Sequence, residues 1–319
     1  MIEVKGLTKR YGANLAVDDI SFTVNDGEIL GFLGPNGAGK STTMNILTGY
    51  SSATSGTVKI AGYDILEDPM LAKKNIGYLP ELPPLYLDMT VREYLDFMYD
   101  LKKVTSPRQA HIKSICELVK IGNVYNRLIK NLSKGYRQRV GIAQALLGNP
   151  PVLILDEATV GLDPKQIIEI RELIKKLGKS HTVIISSHIL SEVQAICERV
   201  IVINGGKLIA DDTPDNLSKA LTTDHKLITR IETTESEGYK LISKIPGVIA
   251  VHTLGEREPG TCDFTIEAEE GVDIRRELFK RMAERGWAIL SLKNNELSLE
   301  DVFLQLTSDT NKTSKRGVK

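Results

Sequence analysis

The sequence predicts an α/β fold built around a parallel sheet. Three observations carry that expectation. Pro151-Val-Leu-Ile-Leu-Asp156 is a continuous apolar run ending in a carboxylate, the pattern of a strand buried on both faces. From there to about residue 220, strand patterns alternate with amphipathic helical patterns. Further upstream, Gly34-Pro-Asn-Gly-Ala-Gly39-Lys40-Ser41 fits G-x-x-x-x-G-K-[ST]. It lies between a short apolar strand, Glu28 to Leu33, and a helix start, Ser41 to Thr48, which is the context that pattern needs.

The elements follow in order. Ile2-Glu-Val-Lys5 alternates, Leu15 to Val24 reads as a second strand, and Asp26-Gly27 is a hairpin signal between apolar stretches. Thr57-Val-Lys-Ile60 and the turn Ala61-Gly62 continue an N-terminal β region. From about residue 66 to 150 the period is helical. Thr90-Val-Arg-Glu93 is a capping box that opens a helix with Val91, Tyr94, Leu95, Met98 and Leu101 on one face. Ser106-Pro107 is a second start, with proline at the first helical position and a stripe of Ile112, Ile115, Cys116 and Val119. After the buried strand come a helix over Lys165–Lys176, a strand over Thr182–Ser186 and a helix over Leu190–Arg199. Val200 to Ile203, Asn204-Gly205 and Lys207 to Ala210 read as a hairpin.

A short helix begins at Thr213-Pro214, and a second unit starts near residue 222. Its segments, Lys226–Glu232, Glu235–Ile245, Val248–Leu254, Cys262–Ala268, Asp273–Arg285 and Ala288–Lys293, have the β-α-β-β-α-β order of a ferredoxin-like unit. Ser298-Leu-Glu-Asp301 caps a last helix through Val302, Phe303 and Leu306, and residues 308–319 read as a disordered tail.

Bulk composition narrows the classes. The 319 residues are 41% apolar and 26% charged, with zero net charge, so the basic excess expected of a nucleic-acid binder is missing. Cys116, Cys197 and Cys262 are scattered without metal or disulfide spacing and read as buried thiols of a reducing compartment. The start has no charged-then-apolar leader layout, and no apolar run approaches the roughly 18 residues that span a bilayer. Any membrane-spanning part is expected on another chain.

The chemistry begins at the glycine loop. Its backbone N–H groups and the following helix N-terminus suit a polyphosphate; Lys40 would reach the β- and γ-phosphates, and the Ser41 hydroxyl would ligate Mg²⁺. Asp156 and Glu157 close the buried strand at its carboxyl end, where ligands of open parallel sheets bind. Asp156 would hold Mg²⁺, and Glu157 would accept a proton from the attacking water. Ser133 reads as the N-cap of a helix running to Leu147.

The loop, Leu132-Ser133-Lys-Gly135-Tyr136, Asp156-Glu157 and His188, in this order, resemble the ATP-binding subunit of an ABC transporter. The resemblance covers residues 2–220. The family signature is usually LSGGQ; Ser133 and Gly135 match it, Lys134 and Tyr136 depart. Lys134 would either add positive charge near the phosphates or sit in solvent. The resemblance implies a phosphate-loop NTPase core with a parallel sheet, an N-terminal antiparallel β subdomain and a helical subdomain at about 85–150. An ATP-binding domain over 1–220 would then precede an accessory α+β domain over 221–307.

The resemblance also implies the site. ATP would be held by Gly34, Pro35, Asn36, Gly37, Ala38, Gly39, Lys40, Ser41 and Thr42, with Tyr11 stacked on the adenine. Ser133 and Gly135 of a second copy would meet the γ-phosphate, with Asp163 of Gly161-Leu-Asp163 at the seam. Lys40, Glu157 and His188 would carry hydrolysis, His188 by bonding the γ-phosphate. Ser41, Asp156 and Glu81 would hold Mg²⁺; Glu81 stands where the family usually has glutamine. Leu82-Pro-Pro-Leu-Tyr-Leu-Asp-Met89 would either pack on its own helices or receive a partner helix. The implied assembly is a homodimer or heterodimer of ATP-binding subunits on an integral membrane permease, peripheral at the cytoplasmic face, in the exporter branch. The ending Leu297-Ser-Leu-Glu-Asp-Val-Phe-Leu304 resembles the tails of that branch. A soluble ABC-type ATPase not linked to transport is the alternative.

Overall fold

Alternating apolar residues at the start of the chain build two long paired strands, β1 (Ile2–Tyr11) and β2 (Asn14–Val24). The computed structural model describes residues 1–221, 226–269 and 271–294. Next come β3 (Ile29–Leu33), α1 (Lys40–Leu47), β4 (Ser55–Ile60) and β5 (Tyr63–Asp64). One antiparallel sheet has the order β2-β1-β4-β5. Asp26-Gly27 does not close a hairpin. The turn is tight, with Gly27 at φ 76° and the Glu28 N–H donating to Asn25 O at 3.2 Å. However, β2 pairs with β1, whereas β3 pairs with strands of a different sheet. The turn signal describes the local bend; all five residues of β3 are buried, which commits that strand to a central position.

The helical stretch follows as α2 (Pro69–Lys74), β6 (Ile76–Leu79), α3 (Val91–Leu101), α4 (Arg108–Leu118) and α5 (Lys134–Leu146). β6 interrupts the helical period expected there. Four residues are too few for a periodicity to register, and parallel pairing with a neighbouring strand holds them. The capping box forms: Glu93 N donates to Thr90 Oγ1 at 3.2 Å, and Thr90 N donates to Glu93 Oε2 at 2.7 Å. Pro107 is the residue before α4 rather than its first, and its carbonyl accepts from His111 N at 2.9 Å.

The chain then runs through β7 (Val152–Asp156), α6 (Pro164–Gly178), β8 (Thr182–Ser187), α7 (Leu190–Gln194), β9 (Arg199–Asn204) and β10 (Lys207–Asp212). α7 stops well short of Arg199. That residue already belongs to β9, where it pairs with Asp211 and Glu28 at 2.6 and 3.1 Å. The six-stranded sheet has the order β10-β9-β3-β8-β7-β6, parallel except for the β9–β10 hairpin. Every residue of β3, β7 and β8 is buried. Phe22 and Phe32, with ring centroids 5.7 Å apart, join the two sheets in one core with Leu30, Met44, Ile154, Ile184 and Ile201.

The described residues separate into two units, 1–214 and 215–294. α8 (Pro214–Leu221) opens the second, which continues as β11 (Lys226–Ile231), α9 (Glu235–Ile242), β12 (Val248–Gly255), β13 (Cys262–Ala268), α10 (Arg275–Arg285) and β14 (Ile289–Asn294). The antiparallel order β12-β13-β11-β14 is that of a split βαβ. Ile231, Ile242, Phe264, Ile266, Leu278 and Met282 form its core. The helix expected from Ser298 and the tail 308–319 lie outside the described residues.

Candidate functional site

The loop between β3 and α1 needs its glycines. Gly37 and Gly39 have φ of 80° and 112°, values that side-chain-bearing residues avoid. A Cβ on Gly39 would also lie 2.6 Å from Ala16 O. No side chain caps α1 at Gly39, so its first N–H groups are left for a ligand. Lys40 is buried and folds back over the loop, with Nζ donating to Gly34 O at 2.8 Å and Pro35 O at 3.3 Å.

Lys40 Nζ also lies 3.7 Å from Glu157 Oε1. Glu157 follows β7 at φ 50°, a conformation L-residues seldom adopt. It is held there because its N–H donates to Ser186 O and Ser186 Oγ, both at 3.2 Å. His188, at the end of β8, puts Nδ1 3.0 and 2.9 Å from the two Glu157 oxygens. Asp156 is buried and accepts from Ser186 Oγ. Burial pushes its carboxyl upward, Glu157 and Glu81 push further, and the Ser186 and Ser41 hydroxyls pull it back.

Of these groups Lys40, Glu157 and His188 line one cleft of about 820 Å³, and Asp156, next to Glu157 in the chain, does not. Tyr11, Asn36, Gly37, Gly39, Lys40, Ser41, Thr42, Glu81, Glu157 and His188 line it. Tyr11 is 49% exposed at its rim, with Lys9 Nζ 4.9 Å from the ring centroid. Gly34, Pro35 and Ala38 belong to the backbone of the same loop, Ala38 N donating to Pro35 O at 3.1 Å. Among the described residues no three or more His, Cys, Asp or Glu side chains form an all-protein metal site. A divalent ion here would instead share Ser41 and carboxylates with phosphate oxygens, as Mg²⁺ prefers. The donor set fits that role: Asp156 hydrogen-bonds Ser41 and is crowded by two further carboxylates.

Ser133, Gly135 and Asp163 do not line this cleft. Ser133 is exposed and caps α5, its Oγ accepting from Tyr136 N at 3.4 Å. Asp163 caps α6, accepting from Gln166 N at 3.0 Å. Lys134 lies alongside Gly161, where an added Cβ would strike its ammonium. The loop after Glu81 packs in part on its own helix and is in part exposed. Tyr86 packs on Tyr94 and Phe97, centroids 6.2 and 5.4 Å away, while Leu82 is 83% exposed.

Val160 and two further parts of the cleft escaped the sequence. Asn14, Leu15 and Ala16 form one wall, and Gly205 and Gly206 another. Gly206 N donates to Ala38 O at 3.0 Å, bracing the phosphate loop. The double glycine after Asn204 was the available signal, but it also satisfies the hairpin.

A glycine loop with a buried lysine, a hydroxyl at its end and an acidic pair closing the neighbouring parallel strand defines a phosphate-loop NTPase. The family model described as ABC transporter matches residues 17–160. The chain is 36% identical over 318 residues to the uncharacterized ABC transporter ATP-binding protein YhcH of Bacillus subtilis (strain 168), covering 97% of each. It is 35% identical over 308 residues to the bacitracin transport ATP-binding protein BcrA of Bacillus licheniformis, covering 96% of this chain and 97% of that one. A solved dimeric ATP-binding cassette in a post-hydrolysis state, bound to ADP and Pi, superposes with TM-score 0.61 at 27% identity, covering 67% of this chain and 98% of that one. The chain belongs to the ATP-binding subunits of the ABC transporter family, and it is an ATPase.

Proposed function

We propose that two copies of an ATP-binding subunit close around two ATP molecules and drive a separate membrane permease in export. The observation that carries this reading is the division of the site. The cleft holds the phosphate loop, Glu157 and His188, while Ser133, at the signature N-terminus, is exposed and does not line it. A helix N-terminus with a free approach suits an anion brought by a second molecule. The dimeric solved cassette supports such an arrangement.

Within each site, Tyr11 stacks on the base and the loop N–H groups hold the phosphates. Lys40 leaves its carbonyl partners for the γ-phosphate. Glu157, fixed by Ser186 and aligned by His188, accepts the proton of the water that attacks the γ-phosphorus, and ADP departs as the bridging bond breaks. Ser133 and Gly135 of the other copy add N–H donors at the same phosphate. Ser41, Asp156 and Glu81 would hold Mg²⁺, which when bound neutralises phosphate charge. The exposed apolar loop at Leu82–Leu87 is the permease contact. Export follows the relatives, which include a bacitracin transport protein and a Nod factor export protein of Rhizobium sp. (strain N33). Among the described residues no helix is long and apolar enough to cross a membrane, in keeping with a separate permease.

The test is the mass of Glu157→Gln by light scattering with and without ATP. A shift from monomer to dimer on ATP addition is expected. A variant that binds ATP at saturation and stays monomeric contradicts the proposal.

A further inference from the structure

Glu192, on α7, is 4% exposed, and none of the roles above uses it. A buried carboxylate needs donors, and here two hydroxyls supply them. Thr159 Oγ1 donates to Glu192 Oε2, and Ser187 Oγ donates to the same oxygen at 3.2 Å. Ser187 Oγ in turn accepts from Ile189 N at 3.0 Å. The two donors flank the reacting groups: Thr159 is two residues after Glu157, and Ser187 directly precedes His188.

The neighbouring serine does the complementary job. Ser186 ties Asp156 and the Glu157 N–H to the end of β8. Consecutive β8 residues therefore hold the acidic loop twice, once before Glu157 and once after it. The second hold runs through Glu192. Glu157 sits at φ 50°, so its loop needs bracing from both sides to keep the carboxylate at His188. α7 is a five-residue helix, and its buried Val193 anchors it against the core.

We infer that Glu192 is a positioning residue for hydrolysis: its carboxylate ties the loop carrying Glu157 to the strand end carrying His188. The inference rests on the reading of Glu157 as proton acceptor. Misplacing a reacting group by about 1 Å costs on the order of 100-fold in rate, so the effect should fall on turnover. Nucleotide affinity should not follow, because neither Thr159 nor Glu192 lines the cleft.

The experiment measures kcat, KM for ATP and equilibrium ATP affinity for Thr159→Val, Glu192→Leu and Glu192→Gln. Thr159→Val keeps the side-chain shape and loses only the donor, so it answers even if Glu192→Leu fails to fold. Thr159→Val and Glu192→Leu should lose about 10-fold to 100-fold in kcat, with KM and affinity within about twofold. Glu192→Gln should stay within about threefold of the parent kcat, because its amide oxygen accepts from the same two hydroxyls. In a Glu157→Gln background, Thr159→Val should add no further loss. Unchanged kcat in Thr159→Val, or affinity lost in step with kcat, overturns the inference. A fast Glu157→Gln enzyme would instead fault the reading of Glu157, a separate outcome read on its own variant.

Discussion

Replacing Glu157 with glutamine changes one atom and removes one charge from a crowded site. The side chain is buried, so shape must be kept, and Glu157→Gln keeps it. Lys40 loses its 3.7 Å neighbour but retains Gly34 O and Pro35 O, so it is not left without acceptors. An amide oxygen can still accept from His188 Nδ1, which now lies 2.9 Å from the carboxylate. Folding should therefore change by less than about 1–2 kcal/mol. The proton acceptor is gone, which predicts a fall in kcat of about 100-fold to 10,000-fold, or roughly 3–5 kcal/mol of barrier. ATP affinity should hold or tighten, because one of the three carboxylates near the phosphates becomes neutral. Burial raises the Asp156 carboxyl, and Glu157 and Glu81 raise it further, so removing one of these charges relieves repulsion. Phosphate release under single-turnover conditions gives the first quantity and fluorescence titration with ATP the second. A rate loss under tenfold, or affinity weakened by tenfold or more, refutes the reasoning.

Three other outcomes follow from the same geometry. Tyr11→Ala should weaken nucleotide binding by about 1–3 kcal/mol in an equilibrium titration, the worth of one base stack. Gly39→Ala should abolish detectable ATP binding, since φ 112° and the Ala16 carbonyl both exclude a Cβ; circular dichroism would confirm that the protein still folds. Lys102 is pulled down by burial to about 8, its ammonium donating to Gln144 O at 2.6 Å. Its folded value lies below its unfolded one, so the proton is lost first from the folded state. Stability should rise between about pH 8 and pH 10.5, by at most about 3 kcal/mol, and that rise should be missing in Lys102→Met when Tm is followed against pH.

The site was legible wherever its residues are neighbours in sequence. Gly34 to Ser41 announces its own conformation, because the glycines, lysine and hydroxyl all act within one strand–loop–helix turn. Asp156-Glu157 was legible because a fully apolar strand has one end at which ligands gather. Long-range contacts left no such trace. Thr159, Ser187 and Glu192 are spread over a loop, a strand and a helix, and each looks like an ordinary polar residue until β7 and β8 lie side by side. The bracing of Ala38 by Gly206 joins residues 168 positions apart by the same logic. Asp26-Gly27 misled because turn chemistry specifies a bend and leaves open which sheet receives the next strand. β6 was missed because its four residues are held by pairing rather than by any pattern of their own.

The central claim is that the phosphate loop of one copy faces the signature of another. Cys116, Cys197 and Cys262 are buried, so introduced cysteines can be addressed selectively. Asn36 and Lys134 are both exposed, one on the loop and one beside Ser133. The measurement is cross-linking of Asn36→Cys with Lys134→Cys on separate copies, by a short bis-maleimide, in the Glu157→Gln background. ATP should produce a covalent dimer that contains one chain of each kind, and its omission should abolish it. Saturating ATP with no mixed dimer would contradict the account.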